Sequence, residues 1–214
     1  RLLDDLRYSV DQANERVHCR ADALRELSRR AAGYSGPAID ELRARIAAAH
    51  DDPEPDLPAL GRQVDAAIEA TLAPLVRDYT RRALRESLEE IGCSVEEDFE
   101  VALGRDGMAH VQGPGWDDLA VRVRSRDGEA YHFNLVAPRD GELPDLAAVE
   151  HQWCGAVDRL LPALGERGLE VHTTHRSDEG DPEVQLVDPA RFPFEHRRQQ
   201  RRRQDSARRR ELPR

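Results

Sequence analysis

The chain contains no lysine, since all 32 of its basic residues are arginine. This absence excludes a P-loop lysine, Schiff-base chemistry and a nuclease site built from two acids and a lysine. A GC-rich bacterial genome is favoured over selection for arginine chemistry as the origin of the bias, because alanine and leucine are also abundant. The excluded enzyme classes are the same whatever the origin of the bias.

Aromatic residues are also scarce, at 5% of the sequence, whereas charged residues make up 35%. This balance is typical of helical and coiled-coil proteins, which bury leucine, valine and alanine rather than rings. The three cysteines, Cys19, Cys93 and Cys154, are odd in number and widely separated. They disfavour a disulfide framework and indicate a reducing compartment.

Long hydrophobic runs are missing as well. No run approaches the roughly 18 uncharged apolar residues that a membrane span requires, and the sequence does not open on a basic and then apolar signal segment. We therefore expect a cytoplasmic protein that does not associate with a membrane.

Apolar residues at alternating spacings of three and four run through the first 31 residues. This heptad pattern is typical of a coiled-coil seam, whose apolar ridge packs along a second helix. The second helix comes either from later in this chain or from a partner, and the sequence leaves both alternatives open. The seam residues predicted to bind a partner are Leu3, Leu6, Val10, Val17, Leu24 and Leu27.

Glycine and proline divide the first part of the chain into predicted helices. The first helix is predicted over residues 2 to 32, and the second begins at Pro37. The acidic, proline-rich segment 51–58 is predicted to be an exposed linker, because neither a helix nor a strand accepts it.

A third helix is predicted from Pro58 to Ile91, with a kink or a break at Pro74. We expect this helix to return antiparallel beside the first one. Residues 1–92 are therefore predicted to form a helical hairpin or coiled-coil region.

The apolar period changes to two after this region, which predicts a four-strand antiparallel meander. Arg105-Asp106-Gly107 and Arg126-Asp127-Gly128 are each predicted to be three-residue hairpin loops, with glycine in the left-handed conformation. The second loop places Val123 opposite Tyr131. The alternating residues are Phe99, Val101 and Leu103, then Ala109 and Val111, then Leu119, Val121 and Val123, then Tyr131, Phe133 and Leu135.

A helix beginning at Pro144 is predicted to cover the apolar face of the meander, with its regular part ending near Leu161 before a proline. The alternating runs 169–176 and 183–188 are predicted to be edge strands or a terminal hairpin. These elements complete a predicted α+β module over residues 93–190.

The polar face of the meander is the best-formed candidate site. Arg122 is predicted to lie opposite His132, with Arg124 and Asn134 nearby. These side chains suit an anion, a nucleic-acid backbone or an acidic partner surface. The alternative is an ordinary solvated face, which antiparallel sheets commonly have.

Metal and cofactor chemistry find little support in the sequence. His151 and Cys154 would share a helix face, whereas His172 and His175 would lie on opposite sides of a strand. Since no second pair of matching spacing exists, we expect no metal and no cofactor.

Catalysis is the least favoured function, and we assign no catalytic residue. A lysine-free nuclease or hydrolase would use His132 or His110 with Asp117 or Asp118. Such an enzyme requires a histidine and two carboxylates around one pocket.

Residues 191–214 contain ten arginines against three acidic residues, a charge of about +7, which leaves about −17 for residues 1–190. The segment lacks the apolar residues of a packed element and is predicted to be a disordered tail. One predicted target is nucleic-acid phosphate, which the tail would bind through counterion release. The alternatives are that the tail contacts the acidic body, that it binds an acidic partner, or that it is only a solvated segment. The candidate arginines are Arg201, Arg202, Arg203, Arg208, Arg209 and Arg210.

These patterns predict an α+β protein, in which an N-terminal helical hairpin or coiled coil precedes an antiparallel four-strand meander packed with helices. We expect a non-enzymatic interaction or scaffold component of a multi-subunit assembly. It would associate with itself or with another protein through the seam and the α+β module. The alternative is an accessory nucleic-acid-binding protein that uses the arginine tail.

Overall fold

The computed structural model describes residues 1–141, 143–175 and 184–194. It confirms a mixed α+β fold, with long helices first and a sheet packed with helices after them. The helices are α1 (Leu2–Ala32), α2 (Pro37–Ala48), α3 (Leu57–Glu90), α4 (Phe99–Arg105) and α5 (Leu146–Glu166), and a short 3-10 helix spans Pro189–Arg191. The strands are β1 (Ser94–Val95), β2 (Met108–Gln112), β3 (Ala120–Arg124), β4 (His132–Pro138) and β5 (Val184–Val187).

The chain forms two compact units, residues 1–76 and residues 77 onward. The division falls inside α3, whereas the boundary that we expected from the sequence, residue 92, lies just after this helix. None of the helices in the described ranges is both long enough and apolar enough to cross a membrane.

The first unit is a three-helix arrangement in which α2 returns along α1. α2 runs antiparallel to α1, and α3 reverses direction once more. α3 therefore runs parallel to α1, and the predicted antiparallel arrangement of these two helices is wrong. A Cβ built at Gly61 would lie 3.9 Å from Leu27 Cδ2, and farther along both helices Arg30 pairs with Asp65. The core residues are Leu24, Leu27, Ala31, Ile39, Leu42, Ile46, Leu60 and Val64.

The connection between α2 and α3 is held to α1 by one arginine. Arg20 Nη1 donates hydrogen bonds to the carbonyl oxygens of Asp52 and Pro53, at 3.0 and 2.9 Å. Asp56 then accepts a hydrogen bond from the backbone N–H of Ala59 at 2.9 Å, which satisfies one free donor in the first turn of α3. The predicted linker is therefore anchored at both of its ends.

Two helices continue through proline residues at which breaks were predicted. α3 passes Pro74, and α5 passes Pro162 and ends only at Glu166. Proline removes one backbone hydrogen bond from each helix. In α5 the residues on both sides of the proline, Leu160 and Ala163, are buried, so their packing outweighs that loss.

The sheet of the second unit has the strand order β1-β2-β3-β4-β5. β1 to β4 pair antiparallel, and β5 pairs parallel with β4 because α5 carries the chain across between them. The edge strand predicted over residues 183–188 is therefore present. A terminal hairpin is not, since residues 169–175 form no strand.

The strand predicted over Phe99–Leu103 is wrong, because these residues belong to α4. The buried residues are Phe99, Ala102 and Leu103, at helical spacing, whereas Val101 is exposed. The first antiparallel partner of β2 is instead β1, in which Val95 pairs with Val111.

The predicted register between β3 and β4 is wrong by two residues, since Val123 pairs with Phe133 and not with Tyr131. The connection is longer than the predicted three-residue loop. Its turn is closed by Ser125 Oγ, which accepts from Gly128 N at 2.9 Å, and by Asp127, which accepts from Glu129 N at 2.9 Å. A shift of two leaves every side chain on its predicted face.

The apolar face of the sheet packs against α5, α4 and the second part of α3. Trp116 is tucked against this face and donates its Nε1 hydrogen bond to Gln152 Oε1 on α5, at 2.8 Å. The buried residues are Leu84, Leu88, Cys93, Phe99, Leu103, Ala109, Val111, Leu119, Val121, Val123, Leu135, Val149, Leu160 and Leu164.

Gly107, between α4 and β2, provides a test of this fold. Its φ is +66°, its carbonyl accepts from Ser125 N at 2.9 Å, and an added Cβ would lie 2.7 Å from the Ser125 carbonyl oxygen. Gly107→Ala should lower the free energy of unfolding by about 2–3 kcal/mol in urea denaturation.

Gly155→Ala is the control, because Gly155 lies within α5 and an added Cβ there has open space. This change should raise the free energy of unfolding by about 0.5–1 kcal/mol, as alanine favours helix. Equal effects of the two substitutions would contradict the left-handed turn at Gly107.

Candidate functional site

The polar face of the sheet is built by strand alternation in β3. Val121 and Val123 point to the apolar face, so Arg122 and Arg124 lie on the other side. Across the strands His110 pairs with Arg122 and Arg122 with Asn134. Arg122 therefore lies opposite Asn134, and the predicted pairing of Arg122 with His132 is wrong.

A chain of hydrogen bonds crosses this face from β1 towards β5. Glu96 Oε2 accepts from His110 N at 2.8 Å and lies 3.2 Å from His110 Nδ1. Arg122 Nε donates to His110 Nε2 at 3.3 Å, and Arg122 Nη1 donates to Gln185 Oε1 at 2.6 Å. The bonds are mutually consistent when neutral His110 carries its proton on Nδ1.

The hydrogen bonds of this polar chain suit a structural role better than a catalytic one. Both ring nitrogens of His110 are engaged, so the imidazole has no free lone pair to act as a general base. Arg122 is buried, and its burial and then the charge of Arg124 lower the pKa of its guanidinium. The hydrogen bonds of this polar chain connect β5 to the centre of the sheet.

A second feature of this unit is a cleft of about 930 Å³, which we call the arginine cleft. Its walls are formed by α3, the end of α4 and the turn that follows it, the end of β3, the start of β4 and the loop between those strands. Arg124, His132 and Asn134 line it, whereas Arg122 is not part of the lining. The lining residues are Arg77, Arg81, Leu103, Gly104, Arg105, Asp106, Gly107, Arg124, Ser125, Arg126, Asp127, Gly128, Ala130, Tyr131, His132 and Asn134.

Two of the five arginines in the lining have acidic partners. Arg81 pairs with Asp78, and Arg105 pairs with Asp106 at 2.7 Å and lowers the pKa of that carboxyl. Arg77, Arg124 and Arg126 form no ion pair with any residue in the described ranges. The cleft therefore holds an excess of positive charge.

The second carboxylate in the cleft is committed to its own turn. Backbone N–H groups of Glu129 and Ala130 hold the pKa of the Asp127 carboxyl below its usual value. Asp127 is thus ionised at neutral pH and oriented towards the turn.

The seam residues are divided between two environments. Leu24 and Leu27 are buried in the core of the first unit, against α2 and α3. Leu3, Leu6, Val10 and Val17 are exposed. The first buried residue of α1 is Leu24.

The remaining sequence candidates are not brought together. Asp117 and Asp118 lie outside the lining of the arginine cleft, and His110 is bonded to Glu96 and Arg122. Within the part of the chain that the structure describes, no three His, Cys, Asp or Glu side chains are grouped as metal ligands. The six candidate arginines of the tail, between residues 201 and 210, lie outside the described residues.

Sequence reasoning missed Glu96 and Gln185 in the polar chain, and Arg77, Arg81, Arg105 and Arg126 in the cleft. One signal for the cleft was present, because Arg-Asp-Gly occurs at both 105–107 and 126–128. The structure brings these two triplets to the same cleft.

The fold thus defines the class of the chain as a helical unit followed by an α+β unit with a polar sheet face. Comparison of the chain with protein-family models, with curated proteins and with solved structures gave no match.

The role of His110 can be tested by removing its ring. His110→Ala leaves Glu96 and the buried Arg122 without their shared partner, so the free energy of unfolding should fall by about 2–3 kcal/mol. His132→Ala, an exposed position on the same face, should change it by less than about 0.5 kcal/mol. Urea denaturation measures both, and similar small losses would contradict the polar chain.

Tyr131 has a buried hydroxyl without a hydrogen-bond partner among the described residues, and burial raises the pKa of its phenol. Tyr131→Phe should therefore leave the free energy of unfolding unchanged or raise it by up to about 1 kcal/mol.

The matched control is Tyr79→Phe, since the Tyr79 hydroxyl donates to the Arg167 carbonyl at 2.6 Å. Loss of this bond should cost about 0.5–1.5 kcal/mol. In thermal and urea unfolding, Tyr131→Phe should therefore be more stable than Tyr79→Phe. The reverse order of stability would contradict the unpartnered hydroxyl assigned to Tyr131.

Proposed function

We propose that this protein is a non-enzymatic assembly component, and that the N-terminal part of α1 joins two copies of the chain in a parallel coiled coil. The α1 seam of one copy would pack against the same seam of the other. The α+β unit would then be carried in two copies by the assembly.

The exposure of the seam is the observation that supports this proposal. Leu3 is 72% exposed, Leu6 and Val10 are each 56% exposed, and Val17 is 51% exposed. The 22 helical residues from Leu2 to Ala23 contain no buried side chain and, at about 1.5 Å per residue, extend for roughly 33 Å. An isolated helix is marginally stable in water, so packing on a partner is what holds such a segment in its helical form.

Arg20 sets the end of the seam. In the heptad pattern Arg20 occupies the next core position after Leu3, Leu6, Val10, Ala13 and Val17, and a coiled coil would bury a residue at that position. Its guanidinium instead reaches the linker carbonyls of Asp52 and Pro53. The five positions before it form one seam, and the core of the first unit begins after it.

The residues beside the seam favour a second copy of the chain in parallel. In the heptad, Arg7 and Arg16 flank the seam, and no acidic residue does so between Leu2 and Ala23. Parallel pairing would place Arg7 opposite the second copy's Leu2, and Arg16 opposite its Ala21. No like charges would then face each other, while the acidic residues Asp4, Asp5, Asp11 and Glu15 would remain on the outer face.

The accessory nucleic-acid-binding function stays a prediction from the sequence. It depends on the arginine tail, whose residues from 195 onward the structure does not describe.

Sedimentation velocity of the full chain over a wide concentration range tests the proposal. The wild type should sediment as a dimer, and Val10→Glu should sediment as a monomer, because a carboxylate would enter the apolar seam. Since Val10 is exposed and lies far along α1 from Leu24, thermal unfolding of the core should be unchanged.

Tyr8→Glu is the matched control, because Tyr8 is exposed on the outer face of the same helix. This variant should remain a dimer with the wild-type dissociation constant. A wild type that is monomeric at every concentration would overturn the proposal, and so would equal dissociation of the two variants.

A further inference from the structure

The arginine cleft concentrates positive charge in an otherwise acidic body. Residues 1–190 carry a net charge of about −17, whereas the cleft lining contains five arginines and two aspartates. Guanidinium groups brought together experience mutual electrostatic repulsion. A bound anion would relieve it.

The five arginines of the cleft belong to helices, a strand and turns of the second unit. Arg77 and Arg81 are one turn apart on α3, so their side chains leave the same face of the helix. Arg124 is the last residue of β3. The remaining two arginines, Arg105 and Arg126, belong to the two Arg-Asp-Gly triplets.

Two glycines make room for the helical arginines. A Cβ at Gly128 would lie 2.7 Å from Arg77 Cγ, and a Cβ at Gly104 would lie 3.1 Å from Arg81 Cζ. Larger residues at these positions would displace both side chains. Helix α4 and the loop between β3 and β4 therefore accommodate the arginine side chains along the cleft wall.

We propose that the arginine cleft binds a compact polyphosphate group, such as that of a nucleoside triphosphate. Planar guanidinium forks match pairs of phosphate oxygens, and several of them can share one triphosphate. The volume, about 930 Å³, lies within the usual range of small-molecule sites.

The charge distribution favours a compact polyanion over a long nucleic acid. A triphosphate would meet only the positive cleft, whereas an extended strand would also run over the acidic surface of the body. His132 and Asn134 on β4 add further polar side chains at the cleft. This site does not depend on α1 or on the proposed coiled coil.

Isothermal titration calorimetry of the full chain with sodium tripolyphosphate tests the site. The double variant Arg77→Gln/Arg124→Gln removes two of the three lining arginines that have no ion pair among the described residues. Its affinity should fall at least about tenfold relative to the wild type, since two charge-assisted contacts are lost. Added salt should weaken wild-type binding.

The control is Arg82→Gln/Arg139→Gln, which removes the same charge at exposed positions outside the cleft. It leaves the arginine tail equally available, and its affinity should change less than about twofold. Gly104→Leu obstructs Arg81 without changing the net charge, and should weaken binding at least about threefold. If the double variant unfolds at a lower temperature than the wild type, the affinity of Gly104→Leu for tripolyphosphate tests the site instead.

Three outcomes would overturn the proposal. The first is no heat of binding with millimolar tripolyphosphate, and the second is an equal loss of affinity in the cleft and control variants. The third comes from competition with a fluorescent single-stranded oligonucleotide: if the oligonucleotide binds in the cleft and tripolyphosphate does not displace it, the ligand class is nucleic acid.

Discussion

The alternation of side chains along β3 is the constraint on which the second unit depends. Val121 and Val123 are buried against the helices, and this burial fixes Arg122 and Arg124 on the opposite face. A slip of one residue would place two guanidinium groups in the apolar core and two valines on the polar face. The register that builds the hydrophobic core therefore also places the polar chain and one wall of the arginine cleft.

Local sequence patterns predict the faces of this fold better than its pairings. The bounds of α1 and the start of α2 follow from heptad spacing, glycine and proline. The apolar residues Phe99, Val101 and Leu103 alternate and suggest a strand, yet the burial of Ala102 shows that helical spacing governs the segment. The length of the loop before β4 depends on hydrogen bonds made by Ser125 and Asp127, which a period of two does not reveal.

The candidate sites show a similar division. Arg124, His132 and Asn134 could be assigned to one face from the alternation alone, and they do share a cleft. Arg77 and Arg81 could not, because they are close to these residues only through the packing of α3 in the second unit. The heptads of α1 likewise do not distinguish residues covered by α2 and α3 from residues left exposed, since both sets have the same spacing.

The contact of Arg20 with the linker has a consequence for how this chain can diverge. The acceptors are the main-chain oxygens of Asp52 and Pro53, and every amino acid supplies such an oxygen. The side chains of that segment can therefore be exchanged during evolution without loss of the anchor, provided that the backbone keeps its path. Arg20 has no such latitude, because only a long side chain with several donors spans two successive carbonyls.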